Sequence, residues 1–144
     1  MLSREFAARF SNLKHSQQDE VERQLMRATR ECTVSEEDYW LLVDQRRQAQ
    51  IARNHARTAA DLASWQGYVQ ALEATEAKLK FRWEQSQDVV EQERANYQQA
   101  YRESLKWDHI RDKSQELWRR IEEGLSLKQA DENAVLKFGR NAAP

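Results

Sequence analysis

The sequence predicts an all-α protein, an antiparallel two-helix coiled-coil hairpin, and three observations predict it. Two apolar stripes at 4-3 spacing run through most of the chain. One short cluster of turn-prone residues separates them. One third of the residues are charged, which suits a two-helix seam better than a thick globular core. At 144 residues the chain is read as a single coiled-coil domain over 1–144.

The first helix is expected over about residues 3–55. Its stripe runs Val21, Leu25, Ala28, Cys32, Ser35, Tyr39, Leu42, Arg46, Ala49, Arg53, Ala56, with eight of eleven positions apolar. Phe6, Phe10 and Leu13 extend it toward the N-terminus. Cys32 is the only cysteine, so the chain forms no internal disulfide, and on the seam its thiol serves as a small hydrophobe.

Asn54, His55, Thr58 and Asp61 then break the pattern, and the turn is expected at about 55–61. Thr58 and Asp61 have the spacing of a capping box, with Asp in place of the usual Glu or Gln.

The second helix is expected over about 62–123. Its stripe runs Trp65, Val69, Leu72, Glu76, Leu79, Trp83, Ser86, Val90, Glu93, Tyr97, Ala100, Ser104, Trp107, Arg111, Ser114, Trp118, Ile121, Leu125. Twelve of those eighteen are apolar, where the 40% apolar composition gives about seven by chance. A seven-residue repeat of this length marks a coiled coil. Gly124 is placed to end the helix, and residues 124–144 are expected to form a C-terminal tail or a helix extension.

A short turn makes the helices antiparallel. A fold-back centred near residue 60 sets Leu42 opposite Leu79, Ala49 opposite Leu72 and Leu25 near Tyr97, with Phe10 and Leu13 approaching Trp107 and Ile110. Helix 2 outlasts helix 1, so Trp118, Ile121 and Leu125 either offer an exposed binding end or are covered by fraying or fold-back. Arg46, Arg53, Glu76, Glu93 and Arg111 stand at seam positions, where charged residues fix register at a cost in stability.

Function classes are narrowed by what is missing. Net charge is -1, so no bulk charge draws nucleic acid or membrane. The aromatics sit on the seam and not on a basic stripe, which argues against nucleic-acid binding. His15, His55 and His109 lack metal-ligand spacing, there is no phosphate-cradling glycine loop, and no Ser-His-Asp constellation is visible. An enzyme, a cofactor and a small-molecule substrate are therefore not expected. The longest apolar run, Tyr39 to Val43, is too short to span a bilayer, and no signal core opens the chain, so a cytoplasmic location is expected. Charge is locally uneven. Glu31, Glu36, Glu37, Asp38 and Asp44 are followed by Arg46, Arg47, Arg53 and Arg57 near the turn, either a solvated face or a basic tip for an acidic partner.

The segment Leu62 to Glu73, LASWQGYVQALE, resembles the start of the second helix in the FliJ family of flagellar type III export proteins. Val90, Tyr97, Trp107, Ile110, the pair Asp112 and Lys113, and Asp131 with Glu132 fall at that family's spacing, as do Leu25, Cys32 and Leu42-Val43-Asp44 in the first helix. The resemblance covers most of the chain, with a shorter turn. It implies a hairpin similar to the central stalk of rotary ATPases, without enzymatic activity. It also implies a flagellar stalk and escort that docks into the hexameric export ATPase, touches the cytoplasmic domain of the export gate, and meets export chaperones. Contact with the membrane is then through protein partners only. Carried residue by residue, the gate face falls on Asp38, Leu42, Gln45, Ala49, Tyr68, Leu72, Thr75 and Leu79; Gln45 and Ala49 stand where the family has aromatics. The ATPase end falls on Phe6, Phe10, Leu13, Trp118, Ile121 and Leu125. An injectisome stalk, or a homodimeric coiled-coil spacer, is the alternative.

Overall fold

The computed structural model describes residues 3–142. Residues 1–2 and residues 143–144, the end of the expected 124–144 segment, lie outside the described residues. Two helices make up the fold, α1 (Arg4–Asn54) and α2 (Ala59–Ala142). They pack against each other as an all-α helical hairpin.

Local chemistry sets the helix ends. Ser3 caps α1, its Oγ accepting from the amide of Phe6 at 3.0 Å. At the other end, tight bonds from the amides of His55 to Ala52 O and Ala56 to Arg53 O close the last turn. His55 Nδ1 donates to the Ile51 carbonyl at 2.8 Å and satisfies one of the acceptors that a helix end leaves free. Thr58 Oγ1 accepts from the amide of Asp61 at 3.1 Å, so Thr58 is the N-cap and Ala59 the first helical residue. The break is thus residues 55–58, shorter than the expected 55–61, because the cap comes at Thr58 and the helix starts directly after it.

The chain divides into two compact units, each pairing part of α1 with part of α2. The first comprises residues 19–99 and includes the turn. Its core is a cluster of Leu42, Ala49, Val69 and Leu72, with Leu79 packed against it. Val69 is 1% exposed. Of these, the expected register sets Leu42 opposite Leu79 and Ala49 opposite Leu72, and all four lie in or against this cluster. Arg46 and Glu76 form an ion pair on the same seam, and the Tyr39 and Trp83 rings lie 5.5 Å apart, both pairs within one residue of that register.

The second unit comprises residues 1–18 and 100–144. Phe10 packs on Trp107 with ring centroids 4.2 Å apart, and Phe6 stacks on Phe10 at 5.7 Å. Arg4 reaches Glu122 at 3.5 Å, so the start of α1 lies beside Glu122. Beyond that point α2 continues to Ala142, past the end of its α1 partner.

Gly124 does not end α2. The helix runs through Gly124 and Gly139, and no described residue has a positive φ. Leu125, Leu127, Lys128, Gln129 and Ala130 are all good helix formers, and a single glycine costs only about 1 kcal/mol in a helix interior. A Cβ added at Gly124 meets nothing within 4 Å. Gly124→Ala is therefore expected to raise helix stability by about 0.5–1 kcal/mol, read as higher helical ellipticity and an equal or higher melting temperature. A drop on both measures would mean a left-handed cap at Gly124 and a helix that stops there.

Candidate functional site

The eight positions of the gate face all lie in the unit 19–99, but they are not equally accessible. Leu42, Ala49 and Leu72 are buried in the core cluster, and Leu79 is half-buried against it. Asp38, Gln45, Tyr68 and Thr75 are exposed. Gln45, Ala49 and Tyr68 line one shallow depression together with Gln48 and Trp65. Tyr68 is 50% exposed, and its ring meets Trp65 edge-on at 6.0 Å. The result is a half-exposed aromatic pair above a floor made by Ala49.

The arginines near the turn separate into two kinds. Arg46 is engaged: its Nε donates to Glu76 Oε2, its Nη2 to Glu76 Oε1 at 3.4 Å, and its Nη1 to Gln50 Oε1 at 3.0 Å. Arg47 and Arg57 are exposed. The available basic charge is therefore smaller than the four arginines suggest.

The expected ATPase end lies in the unit 1–18 with 100–144. Phe6, Leu13, Trp118, Ile121 and Leu125 are exposed, Leu125 most of all at 62%, while Phe10 is half-buried against Trp107. Further along α2, Leu127, Val135, Leu136 and Phe138 are also exposed.

One polar cluster was not foreseen, and it corrects the reading that no Ser-His-Asp grouping exists. Ser11 Oγ donates to Asp108 Oδ1 at 2.7 Å, and His15 Nε2 donates to the same oxygen at 2.7 Å. Ser104 Oγ lies 3.2 Å from His15 Nδ1, and Arg111 Nη1 donates to Ser11 Oγ at 3.4 Å. The i,i+4 pairs Ser11/His15 and Ser104/Asp108 were the available signal, since each pair shares a helix face. The geometry joins the helices, with Ser11 and Ser104 buried in the seam at 0% and 2% exposed. The Asp108 carboxyl is held below its ordinary 3.8, first by the Ser11 hydroxyl, then by His15 and Arg111, against the opposing effect of burial.

Among the described residues no group of three or more His, Cys, Asp or Glu is arranged to hold a metal ion. Among the described residues no helix is long and apolar enough to cross a membrane.

A family model described as the flagellar FliJ protein matches residues 8–143. No curated protein and no solved structure gives a significant match.

The Asp108 cluster makes a pH prediction. A carboxyl with a lowered folded pKa adds stability above the ordinary carboxylate range, and that stability is lost as pH falls through the folded pKa. Ser11→Ala removes the largest cause of the lowering, so the Asp108 midpoint, followed by carboxyl NMR, is expected to rise. The dependence of melting temperature on pH below about 4 should weaken in the same variant. An unmoved Asp108 midpoint would mean the Ser11 contact is absent in solution.

Proposed function

Taking as premise that the chain belongs to the flagellar FliJ family and is a structural component related to flagellar export, we propose that it is the stalk and escort of a flagellar type III export apparatus. In this reading it works without catalysis. The end bearing Phe6, Phe10, Leu13, Trp118, Ile121 and Leu125 docks into the hexameric export ATPase. The face bearing Asp38, Gln45, Tyr68 and Thr75 meets the cytoplasmic domain of the export gate, with Leu42, Ala49, Leu72 and Leu79 beneath it holding the helices in place. Export chaperones are further partners, and the chain stays at the inner face of the membrane through proteins alone.

The observation that carries the reading is the family match over nearly the whole chain. Exposed large apolar side chains at Trp118, Ile121 and Leu125 support it, because such groups at a helical surface are suited to burial against a partner. Tyr68 supports the gate face: a half-exposed tyrosine beside a second aromatic has the make-up of an interface anchor.

Two binding experiments test it. Trp118→Ala combined with Leu125→Ala is expected to reduce stimulation of the hexameric export ATPase while helix content is kept. Tyr68→Ala is expected to weaken binding to the gate's cytoplasmic fragment by roughly thirtyfold. The remaining affinity should fall with salt through Arg47 and Arg57 if the gate surface is acidic there. Full ATPase stimulation by the first variant moves the ATPase contact elsewhere, and normal gate binding by Tyr68→Ala removes the gate face.

A further inference from the structure

The outward side of α1 in the unit 19–99 carries a second surface that the gate and ATPase contacts do not use. Thr33, Glu36, Glu37, Trp40, Leu41 and Asp44 line one open groove. Their spacing of 3, 1, 3, 1 and 3 residues is that of adjacent rows on one helix face. Leu41 is 65% exposed and Trp40 49% exposed, whereas Leu42 and Val43 beside them are buried on the seam. Trp40 is not loose. Its ring meets Tyr39 at 5.1 Å and Trp83 at 6.4 Å, both edge-on, so the indole is held in place with one side free.

The rim of the groove has one sign of charge. Glu36, Glu37 and Asp44 are its ionisable residues, and none is in an ion pair among the described residues; Asp44 accepts only from Gln48 Nε2 at 3.2 Å. Between Glu31 and Asp44 the chain has no lysine or arginine. A partner that covers Trp40 and Leu41 also takes these carboxylates partly out of water, which is costly unless cations meet them. Arg30 and Arg46 bound the acidic stretch, and the groove residues run over 33–44, about 18 Å of helix or roughly three turns.

We propose that this groove docks a basic amphipathic helix of a partner protein, about three turns long, with large apolar residues at 4-3 spacing and Lys or Arg on both flanks. Its ridges fit the rows of α1 as a third helix packed against the outer face. The apolar stripe covers Trp40 and Leu41, and its flanking cations face Glu36, Glu37 and Asp44. A second copy of this chain does not suit the groove, since the same surface would bring carboxylates against carboxylates. An anionic lipid surface is repelled for the same reason. The proposal stands apart from the gate face, which lies on Gln45, Tyr68 and their neighbours, so each is tested by its own residues.

The test uses the full chain and a fluorescein-labelled 18-residue helical peptide with Leu at 4-3 spacing and Lys elsewhere. A counterpart with Glu for Lys serves as the charge control. Anisotropy titrations are expected to show the basic peptide binding, with affinity falling as salt rises, and the acidic peptide not binding. W40A/L41A should weaken binding by about thirtyfold. Leu41→Ala alone, at a side chain that is mostly in solvent, should weaken it in the same direction with the melting curve unchanged. E36Q/E37Q/D44N should lose most of the salt dependence. E84Q/D88N/E91Q, which removes the same charge from an exposed stretch of α2, should bind as the parent does. Equal binding of both peptides, or parental affinity in Leu41→Ala and W40A/L41A, would overturn the proposal. So would equal weakening by the two charge-neutral triples, which would mean attraction by net charge alone. Self-association in sedimentation that W40A/L41A abolishes would put a second copy on the groove and overturn it as well.

Discussion

In each of the two units the packing depends on the register in which α1 meets α2. With only two helices, each seam side chain has a single surface to pack on, and no third element corrects a slip. In the unit 19–99 the apolar part is small, chiefly Leu42, Ala49, Val69 and Leu72. Arg46 and Glu76 sit within it, both about one-fifth exposed. A slip of one heptad would set Arg46 opposite Val69 or Trp83 in place of Glu76, leaving a half-buried guanidinium facing an apolar group. The pair therefore contributes less through its own attraction than through what its loss would cost in every other register. In the unit 1–18 with 100–144, the cluster of Ser11, His15, Ser104 and Asp108 plays the equivalent part.

The register also decides what partners can reach. Sequence periodicity places Leu42, Ala49 and Leu72 on a stripe, and a stripe residue can be core or contact. In the folded chain they are core, and access passes to the edge residues Gln45, Tyr68 and Thr75 and to the outer residues Trp40 and Leu41. Exposed apolar groups therefore include Tyr68 beside the seam, Trp40 and Leu41 on the outer side of α1, and Trp118, Ile121, Leu125 and the residues after them on α2.

Much of this was legible beforehand, and the rest was not for definite reasons. The helices, the hairpin and the pairing of Leu42 with Leu79 and Ala49 with Leu72 follow from 4-3 spacing and one turn, both strictly local signals. Thr58 was readable as a cap, although its position as the N-cap moved the start of α2 ahead of residue 62. Gly124 misled because glycine is a stop signal only when the following residues cannot continue the helix, and Leu125 to Ala130 can. The Ser11–Asp108 contact joins residues 97 apart in sequence, and no local pattern announces which polar seam residues will meet. Exposure of Trp40 and Leu41 was equally hidden, since an apolar residue off the stripe reads as noise until the seam is located.

The direct test of a seam held in register by matched charge is a charge swap at Arg46 and Glu76, measured by thermal or urea unfolding. Glu76→Arg and Arg46→Glu are each expected to cost about 1–3 kcal/mol, because each sets like charges together in a half-buried site. The double variant, R46E with E76R, restores opposite charges and is expected to recover more than half of the summed loss. If the double variant is as unstable as the two single losses added together, the two side chains do not meet, and the register described above is wrong.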